Sequence, residues 1–199
     1  CSLGAVLIEK HIVEDLLGAS RQMARLIAST LSDAEIEGSA VVDHHQVQLD
    51  DLVRRAVVGS GTGQIGHPLR VITDAPPTGL VRTDGDAITR IVYNLVTNAV
   101  AHAASTVWVR LRCHGDLACL EVEDDGPGFG VDDPGELLVD RVRGQDASTA
   151  GHGLGLHTVY RLVTTLGGTV ELRSGAQEGA HVVVRWPVQP VRGDAGPDA

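Results

Sequence analysis

Aromatic side chains are scarce in this chain, with one Phe, two Trp and two Tyr among 199 residues. A core built without them has to draw its burial from Val, Leu, Ile and Ala, and a hydrophobic share of 43% supplies enough for one packed domain plus an appendage. Cysteine is almost as rare. Of the three present, Cys113 and Cys119 stand too far apart for a CxxC metal or redox pair, so they read as small core or hairpin residues of a reducing compartment. Clustered basic residues are missing as well. The formal charge of −10 argues against a domain that lives on phosphate-backbone contacts, and nucleic acid is not an expected partner. No apolar run reaches the roughly 18 to 20 residues of a membrane span, and no basic-then-apolar leader precedes a cleavage site. We expect a cytoplasmic domain whose parent protein can itself carry a membrane anchor. The single methionine is Met23 and residue 1 is Cys, so the expectation is also that the chain is an excised piece.

What is present has a clear order. Leu7 to Ile36 contains no proline and one glycine, with apolar residues at Ile12, Leu16, Met23, Leu26, Ile27, Leu31 and Ile36, the spacing of a long amphipathic helix. Gly38 and the polar run Asp43-His44-His45-Gln46 end it. A short alternating segment, Val47 to Leu49, leads to a helix that Asp50 or Asp51 is expected to cap. Gly59 to Gly66 is a glycine-rich loop. Two short strands, Leu69 to Ile72 and Leu80 to Arg82, flank the turn Ala75-Pro76-Pro77. Thr83 or Asp84 then caps a helix over Asp86 to Ala104, whose apolar set Ile88, Ile91, Val92, Leu95 and Ala99 follows helical periodicity. Val107 to Leu111 and Leu117 to Val122 alternate, and His114-Gly115-Asp116 joins them as a hairpin. Residues 126 to 153 are glycine-rich and aperiodic, a loop long enough to be functional. A helix from Leu154 to Leu166 stops at Gly167-Gly168, strands Val170 to Arg173 and His181 to Trp186 follow, and the tail after Pro190 reads as disordered. The expected fold is α+β, a two-layer sandwich of one mixed β-sheet with helices on one face, preceded by the long N-terminal helix.

Three stretches carry candidate chemistry. Asn94, Asn98 and His102 are successive i, i+4 positions and share a helical face opposite the apolar stripe. Amide oxygens there can hold a hard cation such as Mg, although a solvated polar face has the same pattern. Glu123-Asp124-Asp125-Gly126-Pro127-Gly128 follows a strand. A carboxylate at a strand end can accept an exocyclic amine, with Gly126 and Gly128 letting backbone approach a ligand, and a tight acidic hairpin is the plainer alternative. Gly151-His152-Gly153-Leu154-Gly155-Leu156 opens a helix, where free N–H groups face an anion or serve only as a helix entrance. His44 and His45 have no third ligand in reach and read as linker residues.

Taken together, the Asn-rich helix, the DxGxG after a strand, the long loop and GxGLGL at a helix start resemble the N box, G1 box, lid and G2 box of the GHKL ATPase superfamily. The likeness is to sensor histidine kinases in particular and covers about residues 44 to 188. Leu166 to Ser174 and Gly179 to Pro187 resemble the family's closing hairpin. Arg21 to Ile27 resembles the second helix of the kinase dimerisation hairpin. The resemblance implies three regions: residues 1–43 as that helix and a linker, 44–188 as the ATP-binding catalytic domain, and 189–199 as a tail. It implies ATP and Mg2+ as cofactors. Asp124, with Gly126 and Gly128, would read adenine, and Asn94, Asn98 and His102 would line the nucleotide, with Asn98 holding the metal. Gly151, His152, Gly153, Leu154, Gly155 and Leu156 would cradle phosphate, and Arg141 or Arg143 would neutralise the transferring phosphoryl group. Gyrase-type and chaperone-type relatives carry a water-activating Glu at the position of Asn94, so Asn favours transfer to a residue over hydrolysis.

The implied partners are a response regulator receiver domain and, through the hairpin, a second copy of the parent protein. The implied activity is a protein-histidine kinase of a two-component phosphorelay. In the family the acceptor histidine lies on the first hairpin helix. His11 lacks the family's motif, so this chain alone is not expected to phosphorylate itself. Two departures stand out: Leu138, Val139 and Val142 replace the phenylalanines that usually anchor the lid, and His152 replaces a small hydroxyl residue. A serine/threonine kinase of the anti-sigma-factor type shares the nucleotide boxes but needs no hairpin, and a nucleotide-binding pseudokinase is a third reading.

Overall fold

The structure is a computed structural model that describes residues 43–60, 69–130, 134, 154–174 and 179–191. The expected N-terminal helix, His11, most of the loop from Gly59, the lid segment with Arg141 and Arg143, the run Gly151-His152-Gly153 and the tail after Val191 lie outside these residues.

The elements run β1 (His45–Gln48), α1 (Leu49–Gly59), β2 (Arg70–Asp74), β3 (Leu80–Thr83), α2 (Gly85–His102), β4 (Thr106–His114), β5 (Leu117–Asp124), α3 (Leu154–Thr165), β6 (Thr169–Ser174), β7 (Ala180–Pro187) and β8 (Gln189–Pro190). Five strands form one sheet in the order β2-β4-β5-β7-β6. The pair β2/β4 is parallel and the other pairs are antiparallel, so the sheet is mixed and the α+β class expected from the sequence holds. Where one sheet was expected, β1, β3 and β8 make a second, three-stranded one. The turn at Pro76-Pro77, with Gly79 at φ +69, takes β3 away from β2 and leaves it to pair with β1 instead.

Alternation along the strands decides which face is covered. Val107, Val109 and Leu111 of β4, Ala118, Leu120 and Val122 of β5, and Val182, Val184 and Trp186 of β7 are buried and share a face by register. Helix α2 packs on β4 and β5, and α3 packs on β6 and β7, so both helices cover this face. From α2 it receives Ile88, Ile91, Val92, Leu95 and Ala99, all buried, as the helical periodicity predicted.

Local signals explain the ends. Asp84 is the N-cap of α2 and accepts a 2.9 Å hydrogen bond from the Ala87 amide. The β4–β5 turn places Gly115 at φ +61, a conformation glycine adopts without strain. At the end of α3, Gly167 sits at φ +74 while Gly168 N donates to Val163 O (2.8 Å) and Gly167 N to Thr164 O (2.9 Å), a Schellman motif. The cap expected at Asp50 or Asp51 is not formed. Because β1 runs straight into α1, the N-cap falls on Gln48, and Asp50 instead accepts from Thr78 N (3.2 Å) and Thr78 Oγ1 (3.0 Å).

Candidate functional site

The site lies where the C-terminal half of α2, the end of β5, the start of β7 and the first turn of α3 meet. Asn94, Asn98 and His102 fall on one side of α2, each half-buried, as their four-residue spacing requires. Asn94 commits one amide hydrogen to its own helix, donating from Nδ2 to Arg90 O at 2.9 Å. The Asn98 amide lies directly against Gly155. A Cβ at Gly155 would come within 2.8 Å of Asn98 Nδ2 and 3.1 Å of Oδ1, so only glycine lets α3 start this close to α2. Among the described residues no hydrogen bond holds the Asn98 side chain, which leaves Oδ1 available to a cation.

Asp124 ends β5 on the covered face and is 3% exposed. Its Oδ1 accepts from Gly126 N at 2.8 Å and from Ala180 N at 3.4 Å. Oδ2 has no hydrogen-bond partner among the described residues. Burial pushes the Asp124 carboxyl above the usual range, while the Gly126 and Ala180 amides and the nearby His102 pull the other way. Gly126 is required sterically: a Cβ there would collide with the His102 carbonyl oxygen and come within 2.8 Å of Asp124 Oδ1. Gly179 is equally constrained, because a Cβ would strike the Asp124 carbonyl oxygen. Gly128 adopts φ +73, which keeps the turn after β5 tight.

Of the residues singled out by sequence, Asn98, His102, Asp124, Gly126 and Gly155 converge. Asn94 stands one helical turn before Asn98. Leu154 begins α3, and Leu156 is buried, so its side chain belongs to the core and only its backbone is near the helix start. Arg141, Arg143, Gly151, His152 and Gly153 lie outside the described residues. The sequence reading missed Gly179 and Ala180. They reach Asp124 because β7 pairs with β5 in the register Glu123↔His181, a long-range fact with no local signature. It also missed Asp125, which accepts from Ser105 and Thr106.

This arrangement offers a buried, half-committed carboxylate oxygen that accepts a hydrogen bond, an amide oxygen suited to a hard cation, and the N-terminus of a 12-residue helix for an anion. An amine, a divalent cation and a phosphate chain are the groups of a metal-bound nucleotide. Among the described residues no cluster of three or more His, Cys, Asp or Glu side chains forms a metal cage, and no helix is long and apolar enough to cross a membrane.

Comparison with known proteins points to an ATPase family. The family described as histidine kinase-, DNA gyrase B- and HSP90-like ATPase matches residues 83–190, more than half of the chain. The chain is 37% identical over 102 residues to the sensor protein RstB of Escherichia coli K12, covering 50% of this chain and 24% of RstB. To the sensor protein SphS of Synechococcus elongatus it is 28% identical over 192 residues, covering 89% of this chain and 46% of SphS. It therefore spans less than half the length of these relatives. The crystal structure of the ATP binding domain of PrrB from Mycobacterium tuberculosis is similar at a TM-score of 0.58 and 25% identity, over 75% of this chain and 99% of that one.

Proposed function

Because the chain belongs to the family of histidine kinase-, DNA gyrase B- and HSP90-like ATPases, we propose that it is the ATP-binding catalytic core of a two-component sensor histidine kinase. The observation that carries the proposal is Asp124. A carboxylate on a residue 3% exposed, with Oδ1 committed to two backbone amides and Oδ2 left over, is placed to accept from a ligand donor, and the adenine amine is such a donor. The names of RstB and SphS, both sensor proteins, support the kinase reading over the anti-sigma type.

In this reading Asp124 orients the base, with Gly126 and Gly128 giving it room. His102 and Asn94 flank the nucleotide on α2. The backbone from Gly151 and His152 through Gly153, Leu154, Gly155 and Leu156 holds the phosphates, and Arg141 or Arg143 neutralises charge on the transferring group. The Asn98 Oδ1, half-buried and unclaimed by the described residues, fits Mg2+, which takes oxygen ligands and leaves the rest of its shell to water and phosphate. When bound, the ion supplies charge neutralisation at the phosphate oxygens. Asn94 has no basic lone pair with which to deprotonate water, so the chain is built to hold ATP for an acceptor side chain. That acceptor is a histidine on the first helix of the dimerisation hairpin of the whole protein, which works as a homodimer with this domain on the cytoplasmic side and passes the group to an aspartate of a response regulator.

Titrating ATP into the 199-residue chain by calorimetry, with and without Mg2+, tests the nucleotide step. Labelled ATP with a polypeptide supplying both hairpin helices tests the transfer, and acid-labile label on that polypeptide's histidine is expected. Stable label on serine or threonine would turn the reading toward the anti-sigma type, and nucleotide binding without transfer toward a pseudokinase.

A further inference from the structure

We infer that Asp125 is a positioning residue for nucleotide binding, clamping the exit of α2 to the turn after β5 and so setting the spacing of two walls of the site. The inference rests on the nucleotide reading above and concerns a residue outside the ligand contacts.

Asp125 is the first residue beyond β5, yet its bonds all lead to the start of β4. Its Oδ1 accepts from Ser105 N at 2.8 Å and Thr106 N at 2.9 Å, and its Oδ2 accepts from the Ser105 hydroxyl at 2.5 Å. Its own amide donates to Thr106 O at 3.2 Å. From the other side, Arg70 N at the start of β2 donates to Ser105 O at 2.9 Å, so Ser105 is gripped twice. Helix α2 makes its last backbone bond from Ala103 N to Ala99 O at 2.7 Å, and only Ala104 separates that residue from the clamp. A bond network anchored so close to the helix end fixes His102, whose carbonyl oxygen occupies the space a Cβ on Gly126 would need. One wall of the site is α2 with Asn98 and His102; the other is Asp124 with Gly126. Asp125 ties the two together at their shared corner.

The clamp is ionised throughout the physiological range. Burial alone would raise the Asp125 carboxyl, but the Ser105 hydroxyl and the Thr106 and Ser105 amides outweigh it and hold the pKa at about 2. Both amides converge on the same oxygen. An asparagine can therefore keep them through its Oδ1 and turn its Nδ2 to the Ser105 hydroxyl, which accepts as readily as it donates. Alanine loses everything. If the clamp positions by geometry, Asn substitutes for Asp and Ala does not.

The test is calorimetric ATP affinity with Mg2+ for the 199-residue chain and three variants, alongside amide hydrogen exchange at Ser105 and Thr106. Asp125→Ala is expected to weaken ATP about tenfold, with faster exchange at both amides. Asp125→Asn is expected to stay within about twofold of the parent, and so is Ser105→Ala, which removes only the hydroxyl arm. Unchanged affinity in Asp125→Ala despite faster exchange would overturn the positioning role, as would an Asn variant as weak as the Ala variant. Unchanged exchange in Asp125→Ala would overturn the clamp itself, whether or not ATP binds. No ATP binding by the parent would overturn the nucleotide reading and the positioning role with it.

Discussion

The two faces of the five-stranded sheet handle charge in opposite ways. On the open face, carboxylates sit beside basic side chains: Glu123 accepts from Arg110 at 2.9 Å, Glu121 lies 3.2 Å from His181, Glu171 meets Arg173 and Arg185, and Asp74 pairs with Arg112. Arginine hydrogen bonds hold the Asp74 and Glu171 carboxyls below their usual range. On the covered face, β5 carries one carboxylate, Asp124. It has only backbone amides for hydrogen-bond partners among the described residues, and burial drives its pKa up. Paired side chains make the open face quiet, whereas burial disfavours the charge of Asp124 on the covered face. The lesson is to look for function where a buried carboxylate is held by backbone amides and not by an arginine.

Four substitutions sharpen or break this contrast. The largest effect is expected at the covered face: Trp186→Ala, at a residue with no exposed surface, should cost about 3 to 5 kcal/mol in chemical denaturation. A loss of under 1 kcal/mol would mean this face is not the packed one. Next, Asp124→Asn should weaken ATP by about 1 to 3 kcal/mol without lowering stability. The sign follows from the raised pKa: folding disfavours the Asp124 charge, so above that pKa the ionised group subtracts stability that a neutral amide does not. Reduced stability at pH 7 together with unchanged affinity would remove Asp124 from its proposed role. On the open face, Arg110→Ala should cost about 1 to 2 kcal/mol, because it strips a partner from the buried Glu123. Smallest of all, Arg173→Ala should leave the neutral-pH melting temperature indistinguishable from the parent, since an exposed pair adds little in high dielectric. Its trace is in acid: a depressed Glu171 pKa gives stability that is present above pH 4.5 and lost on going lower, and the variant should lose less of it. Identical acid titrations for variant and parent would show that the pair contributes nothing.

Much of this organisation is legible in the chain because its causes are local. The apolar stripe of α2, the Asp84 cap, the Gly115 turn and the Gly167-Gly168 stop each depend on neighbours within a few residues. Asn94, Asn98 and His102 could be placed on one face from spacing alone. The start of α1 was misjudged because the nearest good capping residues, Asp50 and Asp51, fall inside a helix whose first residue is set by where β1 ends. The division into two sheets was also hidden, since β3 alternates equally well in either. Ala180 gave no sign of its part in the site, as its contribution is a backbone amide and any residue but proline supplies one.

The two amides that hold Asp124 Oδ1 are separated by very different lengths of chain. Gly126 is 2 residues away and Ala180 is 56. The first bond can form with the local turn, soon after the β4–β5 hairpin, on a microsecond scale. The second must wait until the intervening lid segment, α3 and β6 have been gathered in and β7 has docked on β5, a closure whose entropy is paid before its contacts form. The full anchoring of Asp124, on which its proposed reading of adenine depends, is therefore acquired at the end of folding, and a chain still on the ribosome without β7 presents the acidic turn but only half of that anchor. In refolding experiments, nucleotide binding should appear with the slowest phase that builds the β5–β7 pair, making ATP a reporter of completed topology.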